Sequence, residues 1–118
     1  MNTNSVGLIG VGLLGSALAN RLIDSGIRIH GFDSNDKQLE SLKQSGGIAC
    51  DSPTEVVQNC NVLILSLPTS DIVFSLVRQL RTDFKPSQIV IDTTTGHVWK
   101  RTSASNSAYF GSAATWGR

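Results

Sequence analysis

The chain has 118 residues, 40% hydrophobic and 16% charged, with a net charge of +1. That length suits one domain with a real core, and that composition suits a water-soluble globular protein. Without a cluster of Lys and Arg, or any apolar run near the ~20 residues of a membrane span, neither nucleic acid nor a membrane is expected as a partner.

The first apolar run, Val6-Gly7-Leu8-Ile9, reads as a strand. It leads straight into Gly10-Val11-Gly12-Leu13-Leu14-Gly15, and a helical pattern follows from Leu13 to Ser25. A G-x-G-x-x-G stretch between a strand and a helix is a dinucleotide-binding fingerprint when an acidic residue follows about 20 positions on. Asp33 is that residue, at the end of the next apolar segment, Ile27 to Phe32. Gly10 should permit the tight turn, Gly12 should let backbone N–H groups approach a pyrophosphate, and Gly15 should let the helix pack on the strand. The helix start offers unpaired donors and partial positive charge to phosphate. Within this helix Leu14, Leu18 and Leu22 recur at i, i+4, which predicts that they form its apolar face.

A second helix is expected from about Asp36 to Gly46-Gly47, with Leu39 and Leu42 inward, then a short strand at Ile48-Ala49-Cys50. Ser52 and Glu55 have capping-box spacing and Pro53 suits the first helical position, so a short helix should run to about Asn59. Val62-Leu63-Ile64-Leu65 is apolar on both faces, as a central parallel strand is. Thr69 or Ser70 can cap a helix with Ile72, Val73, Leu76, Val77 and Leu80 on its inner face. After Pro86, Ile89-Val90-Ile91 forms a fifth strand ending at Asp92.

This alternation predicts an α/β fold: a Rossmann-type, doubly wound parallel sheet in three α-β-α layers, spanning residues 1–97. Gly10–Gly15, Asp33, Leu67-Pro68 and Asp92–Gly96 should converge on the rim at the strands' C-terminal ends. Residues 98–118 differ, being rich in small and polar side chains with no sustained period. They read as a divergent tail not shaped by the sheet, with a short helix from Val98 and disorder beyond as the plain alternative.

Asp33 can accept hydrogen bonds from the adenosine ribose, whereas a 2′-phosphate there would meet a like charge. Two such charges ~4 Å apart cost about 1 kcal/mol in water and several-fold more in a partly desolvated cleft. NAD is therefore the expected cofactor. NADP stays open, because Ser34, Asn35 and Lys37 leave polar room for a phosphate, though no Arg follows Asp33.

Together, Gly7 to Gly15, Val62 to Pro68 and Ile91-Asp92-Thr93-Thr94-Thr95-Gly96 make the chain resemble the β-hydroxyacid dehydrogenases, such as 3-hydroxyisobutyrate and 6-phosphogluconate dehydrogenase. The likeness spans about residues 5–97, with Leu14 where the family has Met. It implies NAD(P)-dependent oxidation of a 3-hydroxy acid, or reduction of the corresponding carbonyl compound. It also implies a cofactor site made of Gly10, Val11, Gly12, Leu13, Leu14, Gly15, Asp33, Ser34, Leu67, Pro68 and Thr95, the last three toward the nicotinamide ribose. On the residues alone, Pro68 could equally end a strand, and Thr94 and Thr95 could cap a helix.

The chain also departs from the family. Tyr109-Phe110-Gly111-Ser112-Ala113-Ala114 stands where the family carries a substrate-carboxylate segment ending in Ser-Gly-Gly. The family's catalytic lysine and asparagine lie in a C-terminal helical domain beyond this sequence. Lys100 reads as a surface lysine, His97 as a helix-end residue and His30 as structural, so no catalytic residue and no metal ligand is assigned. The expectation is a cofactor-binding domain, truncated or interrupted after residue 97, that binds NAD but is catalytically incompetent alone. A non-catalytic nucleotide-binding module or a subunit of a split enzyme is the alternative; a different user of the fold, binding FAD or S-adenosylmethionine, comes third. Cys50 and Cys60 fit free thiols in the cytoplasm, a disulfide being the lesser option. Apolar surface that a second domain would cover predicts self-association as a homodimer.

Overall fold

A computed structural model of the chain describes residues 5–94, 97–101 and 110–112. The elements run β1 (Ser5–Ile9), α1 (Leu13–Asp24), β2 (Arg28–Phe32), α2 (Asp36–Gln44), β3 (Ile48–Ala49), α3 (Pro53–Asn59), β4 (Val62–Leu65), α4 (Ser70–Leu80) and β5 (Ile89–Asp92). Two further strands follow, β6 (His97–Arg101) and β7 (Phe110–Ser112). The sheet order is β3-β2-β1-β4-β5-β6-β7. The first five strands are parallel; β6 and β7 add antiparallel strands at one edge.

Because side chains alternate across a strand, the central strands β1, β2 and β4 each feed two cores. Ile9, Leu63, Leu65 and Val90 meet Val56, Val57, Val73 and Leu80 from α3 and α4. Leu8 and Ile29 meet Ala19 and Leu42 from α1 and α2 on the opposite face. This is the doubly wound, three-layer arrangement expected of the sequence. None of the helices among the described residues is long and apolar enough to cross a membrane.

Three local expectations are corrected. First, the buried face of α1 is Gly15 and Ala19, with Leu22 and Ile23 partly covered, while Leu14 is half exposed. Close packing on the sheet selects small residues there, so leucine spacing found Leu22 but passed over the buried Gly15 and Ala19. Second, Ile72 is not an inner residue of α4; it is 43% exposed, and Val73 and Leu80 carry the burial. Third, no helix starts at Val98: residues 97–101 extend the sheet, Val98 pairing opposite Ile91 and His97 opposite Asp92. Antiparallel pairing needs only backbone continuity from β5, which a search for side-chain period does not register.

The helix starts follow the sequence closely. Asn35 caps α2 by accepting from the Lys37 N–H, and Thr69 caps α4 by accepting from the Ile72 N–H. Ser52 accepts from the Glu55 N–H at the start of α3. The Glu55 carboxylate reaches back one residue further than a capping box requires, accepting from the Asp51 N–H.

Candidate functional site

Strand register places the site. Ile9 pairs with Phe32 on one side and with Leu65 on the other, and Leu65 pairs with Asp92, so four strand ends form one row. The hydrogen bonding continues one residue past that row: Gly10 N–H donates to Phe32 O, Ser66 N–H to Ile9 O and Thr93 N–H to Leu65 O, each at 2.9 Å. The chain order reverses between β1 and β4, and a crevice opens outside the carboxyl ends at such a reversal. Here it is a cavity of about 550 Å³.

One wall of the cavity is the turn between β1 and α1. Gly10 has φ +98°, the left-handed region that glycine alone adopts freely, and a Cβ on it would overlap the Ser66 carbonyl oxygen. A Cβ on Gly15 would overlap the Gly10 carbonyl oxygen, so this glycine serves the fit of helix to turn. Gly12 differs: a Cβ there would meet nothing within 4 Å. Its backbone borders open space, at the start of a helix that has no side-chain cap. The first N–H groups of α1 are thus left to whatever occupies the cavity, in the field of the helix N-terminus.

Asp33, one residue past β2, closes the adjoining side. Its Oδ2 accepts from the Val11 N–H at 2.7 Å and its Oδ1 from the Asn35 N–H at 2.8 Å. The carboxylate therefore joins the glycine turn to the β2–α2 connection, and each oxygen retains a lone pair for a further donor. The third wall is Ser66-Leu67-Pro68 after β4, with Ile72 and Leu76 of α4.

Of the residues singled out from the sequence, Gly10, Gly12, Leu13, Asp33, Ser34, Leu67 and Pro68 line this cavity. Val11 is buried, with its N–H committed to Asp33. Gly15 lies beneath the turn, and Leu14 is not among the lining side chains. Thr95 lies outside the described residues, as do the side chains of His97 and Lys100. His30 sits within β2, half-buried, its pKa lowered by burial and then by the Arg28 charge.

Asn35, named with Ser34 and Lys37 as polar room for a phosphate, also lines the cavity, whereas Lys37 does not; sequence reasoning missed Ile9, Phe32, Gln38, Pro53, Ser66, Ile72 and Leu76 as cavity residues. Gln38 had a usable signal, lying one turn on from the α2 cap Asn35. Ile72 was disguised by its place in an apolar helical pattern. The cysteines are free and buried, each pushed up to about 11, primarily by burial.

A glycine turn with φ > 0, an uncapped helix start and an acidic residue at the next strand's end define a dinucleotide-binding domain of the doubly wound α/β class. A family model for the NAD binding domain of 6-phosphogluconate dehydrogenase matches residues 5–109, nearly the whole chain. The chain belongs to that family of nicotinamide-dinucleotide-binding domains. L-threonate dehydrogenase of Cupriavidus necator is 26% identical over 96 residues, which are 79% of this chain and 32% of that protein. The 3-hydroxyisobutyrate dehydrogenase of Mycobacterium tuberculosis, solved with L-serine, superposes with a TM-score of 0.73 at 25% identity, covering 79% of this chain and 32% of its own. An imine reductase from Myxococcus stipitatus, solved with NADP+, shares the fold at TM-score 0.72 and 20% identity over 79% of this chain and 32% of its own; a variant was solved with NAD+. The chain thus spans about a third of the length of these relatives.

Proposed function

We propose that the cavity holds NAD, with the pyrophosphate on the N–H groups at the start of α1 and the adenosine ribose on Asp33. Ser34 lies beside that ribose, and Leu67, Pro68 and Thr95 flank the path to the nicotinamide ribose. The single observation that carries this reading is the open space over Gly12 beside an uncapped helix start, with the Asp33 carboxylate adjoining. Preference for NAD over NADP is supported by the lining itself, which among the described residues contains one carboxylate and no Lys or Arg. A 2′-phosphate there would meet a negative charge without a cationic partner.

Bound there, the nicotinamide would accept or donate a hydride. The protein's part in this cavity is to bind and orient. Among the described residues Asp33 is the one titratable side chain in the lining, and it sits on the β2 side, where the proposal puts the adenosine ribose. We assign the chain the cofactor-binding half of a 3-hydroxy-acid oxidoreductase, with proton transfer and substrate binding supplied by groups outside the described lining. These 118 residues alone are expected to bind NADH and not to turn over. Leu13, 94% exposed, and the half-exposed Leu14 and Phe74 favour self-association as a dimer; a monodisperse monomer by light scattering at high concentration contradicts that part.

Competitive calorimetry with NADH, NADPH and S-adenosylmethionine tests the reading. It expects NADH to bind about tenfold more tightly than NADPH, by like-charge repulsion at Asp33, and S-adenosylmethionine not to compete. Absence of NADH binding overturns the site. Steady-state oxidation of a 3-hydroxy acid by the pure chain overturns the assignment as a cofactor-binding half.

A further inference from the structure

The cavity wall after β4 has a support that lies outside the cavity. Leu67 is half-buried, and its N–H donates to Thr94 Oγ1 at 2.8 Å across 27 positions of chain. Thr94 is itself set in place: its N–H donates to Oδ1 of Asp92, a carboxylate with no exposed surface. Thr93 anchors the same turn to the end of β4, its N–H and its hydroxyl both donating to Leu65 O. Asp92, Thr93 and Thr94 do not line the cavity, whereas Leu67 and Pro68 do.

From these contacts we infer that Thr94 is a positioning residue for the nicotinamide half of the cofactor: its hydroxyl, carried on a backbone that Asp92 holds in place, fixes the Leu67-Pro68 wall. The inference rests on the NAD site proposed above. Pro68 has no N–H, so the Leu67 N–H is the last backbone donor in this wall before Thr69. Ser66, on the near side, is held independently by its own bond to Ile9 O. Loss of the Thr94 hydroxyl therefore frees Leu67 and Pro68 while leaving the glycine turn and Asp33 in place. An unpaired, half-buried N–H also favours other arrangements of the wall, and binding must then select the productive one.

The test titrates the 118-residue chain and its Thr94→Val and Thr94→Ser variants with NADH and with ADP, which lacks the nicotinamide and its ribose. Thr94→Val should weaken NADH roughly five- to thirtyfold, with ADP changed less than about twofold. Thr94→Ser, which keeps the acceptor oxygen, should bind both ligands like the parent. Equal losses for NADH and ADP, or no loss for either, overturn the positioning role and leave the NAD site standing. Failure of the parent chain to bind either ligand removes the site itself, and the inference with it. Amide hydrogen exchange of Leu67 in the unliganded parent chain decides the matter should Thr94→Val not fold: protection supports the tether, and exchange at the free-peptide rate overturns it.

Discussion

Replacing Gly12 by Ala separates binding from folding, because the opening turn gives its glycines unequal tasks. Gly12 has φ −80° and ψ −155°, a conformation that alanine adopts, and no atom lies within 4 Å of the new Cβ. Two small terms oppose each other. Lower entropy of the unfolded chain favours Ala by about 0.4–1 kcal/mol, and alanine is a poorer N-cap than glycine by about 1 kcal/mol or less. The net is within about 1 kcal/mol, or roughly 4 °C in Tm for a domain of this size. The methyl group nevertheless projects into the space proposed for the pyrophosphate, so NADH affinity should fall at least about tenfold, or ~1.4 kcal/mol. Gly10→Ala is the control. It forces a side chain into φ +98° and against the Ser66 carbonyl, costing about 1–2 kcal/mol for the left-handed backbone and about 1–3 kcal/mol for overpacking. Its Tm should drop by roughly 8–20 °C. Thermal unfolding and calorimetry on both variants check the pair. Full NADH affinity in Gly12→Ala, or a Tm loss as large as that of Gly10→Ala, refutes the reasoning.

Asp33→Asn should reduce the NADH-over-NADPH preference about tenfold, since the repulsion toward a 2′-phosphate disappears while an acceptor for the Val11 N–H remains; an unchanged affinity ratio contradicts the role given to that charge. Gln88 is buried; its Nε2 donates to Val57 O and Cys60 O, and its Oε1 accepts from the Lys85 N–H. Gln88→Leu strands all three partners and should cost about 2–4 kcal/mol in urea unfolding, with nucleotide affinity retained in the folded fraction. Cys50 and Cys60 are pushed up to about 11 from an ordinary value near 9 by burial, aided at Cys50 by the Glu55 carboxylate. The unfolded chain releases these protons first, so stability should hold below pH 9 and fall between about 9 and 11, by up to about 1.4 kcal/mol per pH unit for each thiol. Denaturant unfolding in a reducing buffer across that window, with Cys50→Ala/Cys60→Ala as reference, measures the effect; identical pH slopes for the two proteins refute it.

Much of this could be read before any coordinates. The glycine turn, Asp33 and the capping residues Ser52 and Thr69 carry local signals, because turns and helix starts are decided within a few residues. The parallel sheet followed from alternation of apolar runs and helical patterns. What escaped depends on distant partners. The inner stripe of α1 is small because Gly15 must lie on the Gly10 carbonyl, a requirement that leucine spacing conceals. Ile72 satisfies a helical pattern yet lines the cavity together with Leu76, one turn on. The Thr94–Leu67 and Asp33–Val11 bonds join residues 27 and 22 positions apart, and only strand register brings them together. Strands β6 and β7 carry no period that betrays them.

The most direct measurement is a ¹⁵N NMR titration of the chain with NADH. The largest amide shifts should fall on Gly12, Leu13 and Leu14 at the start of α1 and on Asp33 to Asn35, with Phe84 to Ile89 at the opposite end of the sheet unmoved. No saturable shifts, or shifts centred on that opposite end, would show that this chain does not grip a dinucleotide at its opening turn.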